Sequence, residues 1–357
     1  MTITDRTDRT DALAERLFAA SLGALELYSV YLGTELGLYP ALEAGGPMTV
    51  SELSKRAGID PRYAREWLEQ QAVAGLLEVD DPSAGAEERR YSLPADHARV
   101  LVHPDDLAHV APFAHLLVGI GGVLPRVAEA YRTGAGVPYE QYGREFRQGQ
   151  GHINRPAFTH ELPAGWLEAM PDVVARLREA GARVADVGCG QGWSTVALAR
   201  AFPDAAVDGL DLDPGSIADA QAHGNGNLRF IEGDASTLAD HGPYDLILIL
   251  EALHDMSRPV DVLRAARAAL ATGGAVLVVD ERVADRFTVP GDEVERIMYG
   301  WSVTHCLPTQ MVDQPSAALG TVMREGTVRE LAAQAGFAAV DVLPVENDFF
   351  RLYRLQP

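Results

Sequence analysis

Apolar residues recur at helical spacing near the start of the chain. Leu13, Leu17, Ala20, Ala24, Leu27, Val30 and Tyr31, then Leu36 and Leu38, predict helix over 12–39. Two shorter helical stretches follow between Met48 and Leu68. A Thr or Ser cap opens the first, and Gly58 with Asp60-Pro61 separates them. Leu76–Val79 and Arg90–Leu93 then predict two strands around an acidic turn that contains glycine. From about 95 to 165 the pattern is helical again, with glycine-rich interruptions at 119–122 and 134–136. The segment Tyr139–Arg144 has the look of a linker lying over a cleft. Helical spacing over 166–180 leads into a different regime. Strands are expected near 184, 207, 228, 245 and 275, with helices between them, an alternation that builds a parallel sheet covered on both faces. A helix over 327–335 and two strands, 340–343 and 349–355, close the chain as a hairpin that places one antiparallel strand in that sheet.

These patterns predict an α/β fold: a Rossmann-like sheet, parallel but for a strand near the C-terminus, behind an α-helical front end. The expected divisions are 1–100, whose helix and strand order is that of a winged helix-turn-helix, a helical linker and lid over 101–165, and the sheet domain over 166–357. Arg62, Arg65, Glu66 and Glu69 nearly cancel on the second helix of the winged element, so the front end is expected to pack and to form a homodimer and not to bind DNA. A net charge of −21 agrees with the absence of a nucleic-acid partner. No unbroken apolar run suggests a membrane partner, and Met1–Asp11 is polar where a signal peptide would be apolar. Cys189 and Cys306 provide no disulfide framework, so a cytoplasmic location is expected.

The chemistry is densest at Val184–Thr195. A strand runs into Asp186-Val-Gly188-Cys-Gly190-Gln-Gly192, and a helix starts at Trp193. A strand, a tight glycine turn and a helix N-terminus let a ligand lie against bare backbone. About twenty residues on, a second strand ends at Asp211, where a carboxylate accepts hydrogen bonds from a ribose diol. An adenosine-containing cofactor is therefore expected. The spacing departs by one residue from the dinucleotide fingerprint, and Asp186 would repel a diphosphate but favour a cation.

This pattern resembles motif I of the class I S-adenosylmethionine-dependent methyltransferases. The resemblance extends over about 166–357 and implies that S-adenosyl-L-methionine is the cofactor. It also implies cofactor contacts for Asp186, Gly188 and Gly190 in the loop, for Asp211, with Leu212 beside it, at the ribose hydroxyls, and for Asp234, with Ala235, at the adenine amino group. Glu251, after the fourth strand, would either contact the amino group of the methionine portion or face solvent.

The winged-helix front end resembles that of small-molecule methyltransferases of secondary metabolism, most of which methylate oxygen with a histidine as general base. His254 stands where such a base would stand. Asp255 beside it, and His305 in Ser302–Pro308, also resemble the metal-dependent α-keto-acid C-methyltransferases of antibiotic biosynthesis. That resemblance implies iron or zinc on His254, Asp255 and His305, which would chelate a small α-keto acid so that its enolate carbon attacks the methyl group. Arg144 would hold the substrate carboxylate. The main expectation is thus a C-methyltransferase. A metal-free O-methyltransferase using His254 and a ligand-sensing transcriptional regulator are the alternatives.

Overall fold

The computed structural model describes residues 3–224 and 226–357. It divides between Val118 and Gly119 into two compact units. The first is helical. Its leading helix, Ile3–Glu35, is followed by Leu38–Gly45, Val50–Ala57 and Pro61–Val73. The third of these starts on a capping box: Thr49 Oγ1 accepts the Glu52 N–H at 3.3 Å while Glu52 accepts the Thr49 N–H at 2.8 Å. Gly58, at φ 69°, ends it in the left-handed conformation that glycine adopts without strain. Asp60 caps the next helix through the Arg62 N–H, with Pro61 at its first position. Strands β1 (Glu78–Val79) and β2 (Tyr91–Ser92) pair antiparallel and complete the winged arrangement. On the helix Pro61–Val73, Arg62 pairs with Glu66 and Arg65 with Glu69 at 3.1 Å, which is how its charges cancel.

The second unit holds a seven-stranded sheet. Its strands are β3 (Arg183–Val187), β4 (Ala206–Asp211), β5 (Leu228–Glu232), β6 (Tyr244–Leu250), β7 (Leu270–Glu281), β8 (Ala339–Val342) and β9 (Phe350–Gln356). Their order is β5-β4-β3-β6-β7-β9-β8. The first five run parallel, and β9 runs antiparallel to β7 and β8. Central strands are continuous apolar runs because both faces are buried. Ile247 and Ile249 pack on one side with Leu263 and Ala266, whereas Leu246 and Leu248 pack on the other with Trp166 and Leu198.

The chain leaves β3 to one side for β4 and later returns to the other side as β6. That reversal opens a crevice at the carboxyl ends of β3, β4 and β6, where open α/β sheets bind ligands.

Two sequence expectations change. Gly119 and Gly122 do not interrupt helix: Pro112–Thr133 runs through both, and it ends at Gly134, φ 73°. Gly119 instead permits close approach, since a Cβ there would stand 2.7 Å from the Phe146 backbone nitrogen. The linker Tyr139–Arg144 is structured, a 3-10 turn (Tyr139–Tyr142) leading into the helix Gly143–Glu161. By length and composition alone, Arg9–Glu35 and Pro112–Thr133 would suffice to cross a bilayer, helices that a search for unbroken apolar runs does not mark.

Candidate active site

The glycine loop leaves β3 at Val187 and turns into the helix Trp193–Ala201. Gly188, Gly190 and Gly192 have φ of 74°, 52° and 79°, a region closed to most side chains. At Gly188 a Cβ would also come within 2.6 Å of the Ala252 Cβ, so this loop lies against the segment that follows β6. At Gly190 nothing lies within 4 Å of the place a Cβ would take, which leaves the backbone open to a ligand.

Asp211 ends β4 beside this loop. Its two oxygens accept the N–H groups of Gly190 and Asp213, each at 2.8 Å. Burial raises its carboxyl to about 6, although those two amides pull the other way. Leu212 follows with 65% of its surface exposed, an apolar face available to an adenine ring. Asp234 caps the turn Ala235–Asp240 through the Ser236 N–H at 2.8 Å and lies 3.5 Å from Arg258. These positions fit S-adenosylmethionine, whose ribose, adenine and methionine portions need a carboxylate, an apolar face and bare backbone in one crevice.

Asp186 has a different place from the one its motif suggests. It is buried, and its Oδ2 accepts the hydroxyls of Ser194 and Thr195, each at 2.6 Å. Burial raises its carboxyl, and the two hydroxyls oppose that rise. Asp186 ties the strand to the helix start and so shapes the loop.

On the other side of the crevice, β6 gives way to a 3-10 turn, Leu253–Asp255, that carries His254. The ring is buried. Its Nδ1 lies 2.9 Å from Asp280 Oδ1 and 3.3 Å from Glu281 Oε2, both at the end of β7. Its Nε2 lies 3.5 Å from Asp255 Oδ1. Burial alone would lower the imidazole pKa, but the carboxylates of Asp280, then Glu281 and Asp255, outweigh it and hold the ring well above its ordinary range. Gln310 fixes the backbone of the same turn, its amide donating to the His254 carbonyl and accepting the Gly320 N–H at 3.1 Å.

The ligand set expected for a metal is not the one that converges. Among the described residues, atoms of His254, Asp255 and Cys306 lie within 4.8 Å of one another, as do those of His254, Asp280 and Glu281, and His305 is in neither group. His305 lies in the turn Ser302–Cys306 and stacks on Phe146 at 4.0 Å between centroids, with the Tyr142 ring edge-on at 4.6 Å. Burial lowers its pKa to about 4, so the ring is neutral. Arg144 is exposed, two residues before the Phe146 that faces His305.

Sequence reasoning missed Asp280, Glu281 and Gln310. The available signal was two acids ending an otherwise apolar strand, which is expensive unless a cation meets them.

Residues 184–274 match the family model described as a methyltransferase domain, and residues 23–103 match one described as an Rv2258c-like winged HTH domain. The C-terminal unit thus has the Rossmann-like fold of methyltransferases, and the N-terminal unit that of a winged helix-turn-helix.

The chain is 36% identical over 129 residues to trans-aconitate 2-methyltransferase of Streptomyces avermitilis, covering 34% of this chain and 45% of that protein. The chain thus spans about half the length of the trans-aconitate enzymes it matches. Acetylserotonin O-methyltransferase of Mus musculus is 27% identical over 92% of this chain and 85% of its own length. Among solved structures, human N-acetylserotonin methyltransferase in complex with SAM superposes with a TM-score of 0.68, at 18% identity, covering 96% of this chain and 97% of that one. Mitomycin 7-O-methyltransferase gives 0.65 at 19% identity, covering 98% and 99%. These likenesses at low identity establish the fold.

They also correct the expected chemistry. Acetylserotonin O-methyltransferase and mitomycin 7-O-methyltransferase, which cover most of this chain, are O-methyltransferases, and none of the similar proteins supports carbon methylation of an α-keto acid. The physical reason lies at His254 and His305. The first is held by carboxylates at Nδ1 and the second is packed among aromatic rings, so the two histidines do not form one ligand set.

Proposed function

We propose that this protein is an S-adenosylmethionine-dependent methyltransferase that methylates a hydroxyl oxygen of a small molecule, with His254 as general base. S-adenosylmethionine supplies an electrophilic methyl group when bound. The protein's part is to hold the donor on the glycine loop and Asp211, and to take a proton from the acceptor hydroxyl.

The observation that carries this reading is the buried His254–Asp280 contact at 2.9 Å. With Nδ1 engaged by Asp280, Nε2 is the nitrogen left to receive a proton. Asp280, whose carboxyl burial would raise but the imidazole and the Glu281 hydrogen bond hold low, would stabilise the imidazolium that results, whereas burial raises the Glu281 carboxyl well above its ordinary range. The site has a definite charge character as well. Asp255 and Asp280 lie within 3.5 Å of the His254 ring, so an acceptor carrying its own carboxylate would be disfavoured here. A neutral or cationic hydroxyl compound fits better. Exposed apolar residues along the leading helix, including Phe18 at 74% and Leu25 at 64%, support the homodimer as part of the same proposal.

The pH dependence tests the base directly. His254 must be neutral to accept a proton, and its carboxylate neighbours keep it charged to higher pH than a free imidazole. The rate of methyl transfer should therefore rise with pH through a limb above 6.5, the ordinary imidazole value. Asp280→Asn removes the largest stabilising charge. It should move that limb to lower pH and lower the plateau by about tenfold or more, because a weaker base is left. A rate independent of pH, and unchanged in Asp280→Asn, would contradict the proposal.

A further inference from the structure

We infer that the acceptor carries a second oxygen besides the hydroxyl that is methylated, neutral and hydrogen-bond-accepting as in a ketone, and that His305 holds it through an Nε2–H. The inference deepens the reading above, since it rests on the pocket beside His254 being the acceptor site.

His305 lies in the turn Ser302–Cys306 with 5% of its surface exposed. One face of the ring stacks on Phe146, and Tyr142 and Tyr139 meet it edge-on at 4.6 and 5.7 Å between centroids. Its Nδ1 lies 3.5 Å from Cys306 Sγ. That sulfur also converges with atoms of His254 and Asp255, so Cys306 stands between the two histidines. The far nitrogen, Nε2, is buried, and among the described residues no hydrogen-bond partner reaches it.

The direction of the sulfur contact decides what Nε2 offers. Burial pushes the Cys306 thiol up to about 12, so the sulfur keeps its proton at neutral pH. His254 and Thr321 are the other hydrogen-bonding groups at that sulfur. Against burial, the neighbouring acids hold the resting His254 ring charged, so it can only donate there. The Thr321 hydroxyl has a proton of its own to give. The thiol proton therefore goes to His305 Nδ1. The His305 ring, neutral through burial, then carries its own proton on Nε2.

This donor differs in kind from its unpartnered neighbours. Carboxyl oxygens of Asp255, Asp280 and Glu281 are also buried without partners, but they surround the His254 ring, which answers them. The N–H of His305 calls for an acceptor, and a buried donor is costly until one arrives. Asp255 acts on the same ring, so an anionic oxygen is disfavoured and a neutral one fits. Tyr139 is half-buried, which leaves part of its ring for an aromatic acceptor.

Paired acceptors test this on the full chain. The ortho, meta and para hydroxyacetophenones are each compared with the matching ethylphenol, which lacks only the carbonyl. For at least one isomer the wild type should favour the ketone in kcat/KM. His305→Phe should cut that preference by about tenfold or more. Taking the ratio in both proteins cancels the difference in acidity between the phenols. His305→Phe keeps an uncharged ring against Phe146, so Tm and affinity for S-adenosylmethionine should hold. His305→Gln restores an N–H and should recover part of the preference. In 15N spectra of histidine-labelled protein, His305 should be the Nε2–H tautomer, and the Nδ1–H form would overturn the inference. Binding of acetophenone and ethylbenzene to protein loaded with S-adenosylhomocysteine separates this contact from methyl transfer. A ketone preference that His305→Phe abolishes upholds the contact, and if no phenol is then methylated the reading above fails alone. Equal binding of the two by the wild type, or a preference that His305→Phe leaves intact, overturns the inference whether or not phenols are methylated.

Discussion

His254→Gln is expected to lower the rate of methyl transfer by about two to four orders of magnitude, the range removed with a positioned general base. Affinity for S-adenosylmethionine should be unchanged, because the donor residues Gly188 and Gly190 lie in the loop after β3 and Asp211 ends β4, and none is on the 3-10 turn. The substitution also leaves Asp280 buried without its charged partner, and breaking such a pair costs about 3–5 kcal/mol. Tm should fall accordingly. The double variant His254→Gln with Asp280→Asn separates the two effects. It pairs two neutral amides, so Tm should recover while the rate stays low. Recovery of the rate together with stability would mean that His254 is structural. Rates under saturating donor, binding by calorimetry and thermal unfolding supply all three readouts.

The second large effect is at Asp211. Asp211→Ala should weaken donor binding by about two to three orders of magnitude, as hydrogen bonds to a charged group contribute about 1.5–3 kcal/mol each. The loss has two parts. The ribose hydroxyls lose their acceptor, and the N–H groups of Gly190 and Asp213 lose the oxygens that lock the loop to β4. Asp211→Asn keeps one acceptor and should fall between wild type and alanine.

Burial holds the wild-type carboxyl at about 6, above its ordinary 3.8, so donor affinity should also weaken as the pH is lowered through 6 and Asp211 takes up a proton. Stability carries the opposite sign. A carboxyl with a raised folded-state pKa favours the fold most below 3.8 and loses that contribution as pH rises through 6. Asp211→Asn is free of the penalty and should unfold at a higher temperature at neutral pH. An affinity independent of pH between 5 and 7 would place the ribose elsewhere.

The sheet and the donor crevice were legible because their determinants are local. Apolar strands, glycines at alternate positions and an acid closing the next strand lie within two short segments, Val184–Thr195 and Ala206–Asp211. Even there, Asp186 looked like a ligand residue because the hydroxyls that claim it belong to the following helix.

The acceptor side was less legible because its partners are distant in sequence. Asp280 and Glu281 reach His254 through the parallel register of β6 and β7, where Leu250 stands opposite Val279. His305 looked like a ligand by spacing, but spacing is silent about the Phe146 ring stacked on it. Spacing is equally silent about Gly119, which is glycine within a helix because the Phe146 backbone lies where a Cβ would stand.

The central claim is that the methyl group leaves for an acceptor oxygen. S-adenosylmethionine labelled with 13C in its methyl group, incubated with the enzyme and a panel of phenols, catechols and α-keto acids, reads the destination by NMR. The account predicts a methoxy carbon on a neutral or cationic hydroxyl compound, absent with His254→Gln. A carbon-bound methyl on a keto acid, formed equally well by His254→Gln, would contradict it.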